Sequence, residues 1–292
     1  SILSINGIFS GISLITFFIV FSSLNAGINT VRCILFILTN RHIKSLSLSF
    51  TLGSKKMTDY EGHENLETAI KRKNFTKWVA EETFPKLKGD ILEIGSGLGT
   101  YSKQIIKNHP NSQITLSDVS QSYVKNLTKT FSTDSITVFK LDLNNKEDFK
   151  KIGYEKFDSI IAINVLEHVK NDEFAISELY KMLKNNGTLI ILVPANKFLY
   201  NVIDKSIGHW RRYTKNELKN KLTDNNFKIE KIFSFNILGI FGWFLNGNVF
   251  KKSEINKNAS SIFDKLIPFM KIIEKYSGRP FGLSVICYCK KF

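Results

Sequence analysis

Cysteine and proline are scarce in this chain. Three cysteines among 292 residues, Cys33, Cys287 and Cys289, build no even disulfide framework, and no histidine stands at ligand spacing to complete a zinc set with them. A reducing compartment follows as the default, and no metal is expected. Cys287 and Cys289 lie two apart in an apolar run, so in a strand they share one face. Five prolines exclude a proline-rich linker protein, and 43% hydrophobic with 23% charged residues exclude a wholly disordered or collagen-like chain. Acidic residues are short as well: 26 Asp and Glu stand against 41 Lys and Arg, a net charge of +15. From Ser1 to Thr58 there are none, beside Arg32, Arg41, Lys44, Lys55 and Lys56. From Ile240 to Phe292 only Glu254, Asp264 and Glu274 offset nine basic residues. Basic ends suit nucleic acid, an anionic membrane surface or plain solubility, so charge alone selects no partner.

The first 45 residues are apolar. Ile8 to Leu24 carries no charge, close to the roughly twenty residues that span a bilayer as a helix. No Lys or Arg precedes the run, which argues against a cleaved signal peptide. The basic residues follow it, so a membrane anchor here would leave the rest of the chain in the cytoplasm. Residues 1–45 are thus a candidate anchor, 46–58 a linker and 59–292 a catalytic-sized domain.

Beyond Tyr60, short β-branched runs alternate with segments of helical period. Strands are predicted at 91–94, 114–117, 136–141, 159–163, 188–193, 228–233 and 285–289, with helices at 101–108, 122–131, 173–183 and 215–225. This alternation predicts an α/β fold, a doubly wound, seven-stranded and mostly parallel sheet with an antiparallel last strand. Thr214 and Glu217 are spaced as a capping box, with Tyr213 and Leu218 as its staple. Asn186-Gly187 is placed to end the preceding helix, with glycine in the left-handed conformation.

The chemistry concentrates after the first of these strands. In ILEIGSGLGTYSKQI, Gly95, Gly97 and Gly99 alternate before a helix start; small residues admit a close ligand, and a helix start presents free amides. Glu93 lies in the strand end, Asp118 closes the second strand and Asp142 the third. Ligands of open α/β sheets bind at such carboxyl ends, beside the switch in strand order. Asp118 offers two acceptor oxygens suited to paired ribose hydroxyls, and Asp142 suits an exocyclic amine. Each also has a plain structural role open to it, as a helix cap or a turn residue.

These residues resemble the class I S-adenosylmethionine-dependent methyltransferases. Glu93-Ile-Gly95-Ser96-Gly97-Leu-Gly99 is similar to that family's first motif, Leu116-Ser-Asp118 to its second, Leu141-Asp142-Leu143 to its third, and Phe157 through Asn164 to Val169 to its fourth. The resemblance implies S-adenosylmethionine as cofactor, a Rossmann-like fold, and cofactor contacts from Glu93, Gly95, Ser96, Gly97, Gly99, Asp118, Val119, Asp142, Leu143 and Asn164. A nicotinamide fingerprint would need glycine or alanine where Thr100 stands. Asn164 is followed by Val-Leu-Glu-His and not by the Pro-Pro-aromatic sequence of nucleic-acid adenine methyltransferases, so no nucleic-acid partner is expected, although other RNA methyltransferases remain an alternative.

The segment Gly208-His209-Trp210-Arg211-Arg212-Tyr213-Thr214 resembles bacterial methyltransferases of the type 12 kind, often linked to polysaccharide or glycolipid gene sets. His209, and secondarily His168, are candidate general bases. Arg211 and Arg212 are candidates to bind an anionic group and Trp210 and Tyr213 to stack on a ring, each with a structural role as the competing reading. An acceptor-side cap is predicted from about 194–214 and 235–280. The expected function is methyl transfer to a small-molecule or lipid- or glycan-linked acceptor, in the cytoplasm or on its membrane face. The contrasting reading is a catalytically silent, membrane-associated scaffold.

Overall fold

The computed structural model describes residues 72–292 except 132 and 253–256, together with the backbone of four earlier segments. The chain divides into two compact units, Ser1–Asp59 and Tyr60–Phe292. In the first, β1 (Ile2–Ile5), β2 (Phe17–Phe21), β3 (Thr30–Thr39) and β4 (His42–Thr51) form a four-stranded antiparallel sheet in sequence order. This differs from the expected spanning helix: Phe17–Phe21, inside the run from Ile8 to Leu24, is a strand, while 8–16 and 22–24 lie outside the described residues. Residues 46–51, expected as linker, continue β4. Its alternation of Leu46, Leu48 and Phe50 with Ser45, Ser47 and Ser49 reads as a strand. Among the described residues, no helix is long and apolar enough to cross a membrane.

The second unit contains α1 (Lys73–Thr83), β5 (Ile91–Ile94), α2 (Ser102–Asn108), β6 (Ile114–Asp118), α3 (Gln121–Phe131), β7 (Ile136–Lys140), α4 (Lys146–Ile152) and β8 (Phe157–Ile163). It continues with α5 (Asp172–Met182), β9 (Leu183–Pro194), α6 (Val202–Ser206), α7 (Lys215–Asp224), β10 (Lys228–Phe235), α8 (Gly239–Phe244), α9 (Lys257–Tyr276) and β11 (Ser284–Lys290). The sheet order is β10-β11-β9-β8-β5-β6-β7. Pairing is parallel from β9 through β7, and β11 runs antiparallel to both β9 and β10. The predicted doubly wound sheet is therefore present, and its order reverses at β5, which pairs with β6 on one side and β8 on the other.

The sheet is apolar on both faces, as parallel strands covered twice must be. Leu92, Ile160, Ile191 and Cys287 face a core with Phe149, Phe157 and Leu179, whereas Ile91, Ile161, Ile190 and Ile286 face the opposite core with Trp78 and Phe235. Cys287 and Cys289 share one face, both buried and free.

Three local expectations are corrected. The helix before β9 ends at Met182, and Leu183 is already extended; the left-handed residue is Asn186, with φ 61°, not Gly187. Only half of the capping box forms: Thr214 Oγ1 accepts the Glu217 amide at 3.1 Å, but the Glu217 carboxylate pairs with Lys197 instead. The complete box lies at Asn201, whose amide donates to Asp204 Oδ2 at 3.0 Å.

The predicted cap also divides. Its first part, 194–214, meets the start of the second: Trp243 Nε1 donates to the Leu199 carbonyl at 3.2 Å and Asn201 Nδ2 to Asn248 Oδ1 at 2.8 Å. Helix α9 instead packs on α1. Its inward face carries Asp264, Ile267, Met270 and Glu274, while Ile262 and Phe269 are exposed. Asp264 accepts the Phe75 amide at 2.9 Å and the Asn74 amide at 3.2 Å, capping a helix whose own Arg72 supplies no side-chain cap. Glu274 likewise accepts the amides of Asn236 and Ile237 where β10 ends.

Candidate active site

At the β5 end, Glu93 is buried and accepts hydrogen bonds at Oε2 from the hydroxyls of Ser96, at 3.0 Å, and Ser102. Burial pushes its carboxyl up to about 7 despite these donors. Glu93 thus ties the glycine loop to the start of α2. Gly95, Gly97 and Gly99 all hold left-handed backbone, with φ of 68°, 53° and 76°. A Cβ on Gly95 would stand 2.6 Å from Val165 and one on Gly99 2.4 Å from Phe131, so both sites suit glycine alone.

The same loop is held from the neighbouring strand. Asp118 Oδ2 accepts the Gly97 amide at 2.9 Å and Oδ1 the Ser120 amide at 2.8 Å; burial nonetheless raises its pKa. Val119, next to it, is 57% exposed. Asp142 is half-buried in a turn, where Oδ1 accepts from the Asn144 amide at 2.9 Å. The Leu143 side chain points into the core, which leaves its backbone as the part able to meet a ligand. Asn164 follows β8 with φ 53° and an exposed side chain. Asparagines 196 and 236 adopt the same backbone after β9 and β10.

A second constellation gathers residues that follow β8 and α6. Glu167 is fully buried, and neither carboxylate oxygen has a hydrogen-bond partner among the described residues. Burial pushes its pKa up to about 8. His209 is nearly buried; Nδ1 lies 2.8 Å from Asp204 Oδ1 and Nε2 3.8 Å from Glu167 Oε1. The His168 ring packs edge-on to His209, 4.7 Å between centroids. Part of His168 reaches solvent, yet the crowding of its ring by protein, and then His209, lower its pKa to about 4. The metal-free expectation did not foresee this gathering: one ligand-capable atom from each of Glu167, His168 and His209 lies within 4.8 Å of the others. Glu167 and His168 are adjacent in sequence, but His209 arrives from beyond β9 and α6, so no spacing rule signals it.

Both arginines have intramolecular partners. Arg212 is buried, with Nε 2.8 Å from Asp204 Oδ1, Nη1 donating to the Ala195 carbonyl, and its guanidinium over Trp243. Arg211 donates to the carbonyls of Val169 and Lys170 and pairs with Asp172 at 3.1 Å. Tyr213 is buried, its hydroxyl donating to Asp172 Oδ2 at 2.8 Å. All three have intramolecular partners, and Trp210 is 58% exposed, with the Lys170 ammonium 5.8 Å from the centre of its ring.

Residues 92–189 match the family model described as a methyltransferase domain. The chain is 24% identical over 151 residues to a malonyl-[acyl-carrier protein] O-methyltransferase of Ilyobacter polytropus, covering 49% of this chain and 54% of that protein. It is 34% identical over 130 residues to the highly reducing polyketide synthase sthA of Phaeosphaeria nodorum, covering 41% of this chain and 4% of that protein. The chain thus spans about half, or far less, of the curated relatives it matches. A SAM-dependent methyltransferase structure from Archaeoglobus fulgidus superposes with a TM-score of 0.53 at 19% identity, covering 78% of this chain and 99% of that one. With the glycine loop at the sheet's switch point and Asp118 holding it, residues 92–189 match a methyltransferase domain, and the second unit has the Rossmann-like fold of S-adenosylmethionine-dependent methyltransferases.

Proposed function

We propose that the protein transfers a methyl group from S-adenosylmethionine to a small-molecule acceptor, free or tethered to a carrier, lipid or glycan. The observation that carries this reading is the Gly95–Gly99 loop, pinned by Glu93 and Asp118 where the strand order reverses. The residues fit the cofactor. Asp118 keeps lone pairs for ribose hydroxyls, the exposed Val119 offers an apolar surface to a base, and the Asp142 turn an acceptor for an amine. The loop would meet the methionine portion, with Asn164 beside it.

Methyl transfer from a sulfonium needs chiefly alignment, which can supply about 7 to 11 kcal/mol of the barrier. The acceptor end in this reading is the cluster of His168, His209 and Glu167, with Trp210 as an apolar wall. Asp204 fixes the His209 ring, so its Nε2 is the atom placed to receive a proton from an acceptor hydroxyl, while His168, with its pKa lowered to about 4, is the weaker base. Two measurements test the proposal: calorimetric titration with S-adenosylmethionine, and label transfer from methyl-labelled cofactor into a panel of free and carrier-linked acceptors. Saturable one-to-one binding and a labelled product are expected. Absence of cofactor binding would reject the enzyme reading, and labelled nucleic acid would replace the acceptor class.

A further inference from the structure

We propose that Glu167, His168 and His209 form a binding site for a divalent transition-metal ion. Two imidazoles and one carboxylate are a donor set suited to zinc, iron or cobalt, and three protein donors leave further positions open for water or substrate. Their ligand-capable atoms lie within 4.8 Å of one another. Donors about 2.1 Å from one ion at tetrahedral angles lie about 3.4 Å apart. A small contraction therefore completes the site.

Three independent features favour an ion over chance proximity. The first is Glu167: a fully buried carboxylate with both oxygens unpartnered is costly, and an ion bound there would remove the cost. The second is the support behind His209. Its Nδ1 bonds Asp204, which is itself fixed by Arg212 and by the Asn201 amide. A ligating histidine commonly donates its other ring N–H to a carboxylate in this way, which sets the tautomer and aims the free nitrogen. Here Nε2 is aimed at Glu167, 3.8 Å away. The third is access, since His168 reaches solvent and gives an ion a way in.

The ion's role deepens the methyltransferase reading and rests on it. In the ion-bound protein its open positions would hold an oxygen of the acceptor and favour loss of that oxygen's proton to solvent water, with the two histidines then serving as ligands in place of the base role open to His209 without an ion. Metal binding itself stands without that reading.

The test uses untagged full chain, stripped with a chelator and then titrated with cobalt(II) under visible spectroscopy and with zinc(II) by calorimetry. One ion per chain is expected, with cobalt bands that zinc displaces. His168→Ala and Glu167→Gln should each weaken binding more than 100-fold, and Asp204→Asn about 10- to 100-fold. S-adenosylhomocysteine affinity serves as the control for folding and for the cofactor site, and His168, partly exposed, is the variant least bound to stability. Absence of stoichiometric binding, or equal affinity in wild type and His168→Ala, would overturn the site. Cofactor binding without metal binding would remove the ion and leave the methyltransferase reading intact.

Discussion

Asp118 Oδ2 accepts the Gly97 amide at 2.9 Å, so the acid that ends β6 holds the glycine loop that follows β5. The residue proposed to meet the cofactor's ribose is thus also a strut for the loop proposed to receive the methionine. Asp118→Ala should weaken S-adenosylhomocysteine binding by roughly 1.5 to 3 kcal/mol, about 10- to 150-fold, as measured by calorimetry. Asp118→Asn keeps an acceptor for Gly97 and should lose less. Wild-type affinity in both would refute the assignment.

Gly99→Ala should lower stability by about 1 to 3 kcal/mol, because it forces a side chain to φ 76° and against the Phe131 ring. Thermal unfolding reads the effect. Gly242→Ala is the control, since a Cβ there meets nothing within 4 Å.

Glu93 makes stability depend on pH. Its pKa is raised by burial from 4.5 to about 7 in the fold, so the native state holds a proton that the unfolded chain releases. That contribution is full below 4.5 and is lost as pH rises through 7. Across this window the wild type should lose about 3 kcal/mol relative to Glu93→Gln. Urea unfolding at a series of pH values checks it, and parallel profiles for the two proteins would contradict it.

Arg212→Ala should destabilise the fold by about 3 to 5 kcal/mol, since it removes the guanidinium that neutralises the buried carboxylate of Asp204 and leaves it with His209 and the Asn201 amide. The loss should appear in the unfolding midpoint. A fully stable Arg212→Ala protein with only a raised acceptor KM would restore the substrate-binding role expected from sequence.

Asp264→Ala removes a cap contributed across 190 positions of chain. A loss of about 1 to 2 kcal/mol is expected in chemical unfolding, with cofactor affinity unchanged.

The sheet and its strand-end acids were legible because parallel strands are dense β-branched runs and because ligands gather where strand order reverses. Glu93, Asp118 and the three glycines follow from local pattern. The roles of Arg211, Arg212 and Tyr213 did not, since an arginine in a loop looks alike whether it meets a substrate or the carboxylates of Asp172 and Asp204. The buried face of α9 is hidden for a related cause: Asp264 and Glu274 look like solvent-facing positions until their distant amide partners are known. Likewise, the apolar run in β2 offered length but no periodicity able to separate strand from helix.

The position of β11 bears on how the protein is made. This strand lies between β9 and β10 yet is translated after both. Until residues 284–290 leave the ribosome, β9 presents a bare row of amides and carbonyls and β10 has no neighbour in the sheet. Such open edges pair readily with other chains. The nascent protein therefore carries two open strand edges in the interval between the synthesis of β10 and of β11, and a chaperone that shields strand edges would act most usefully in that interval.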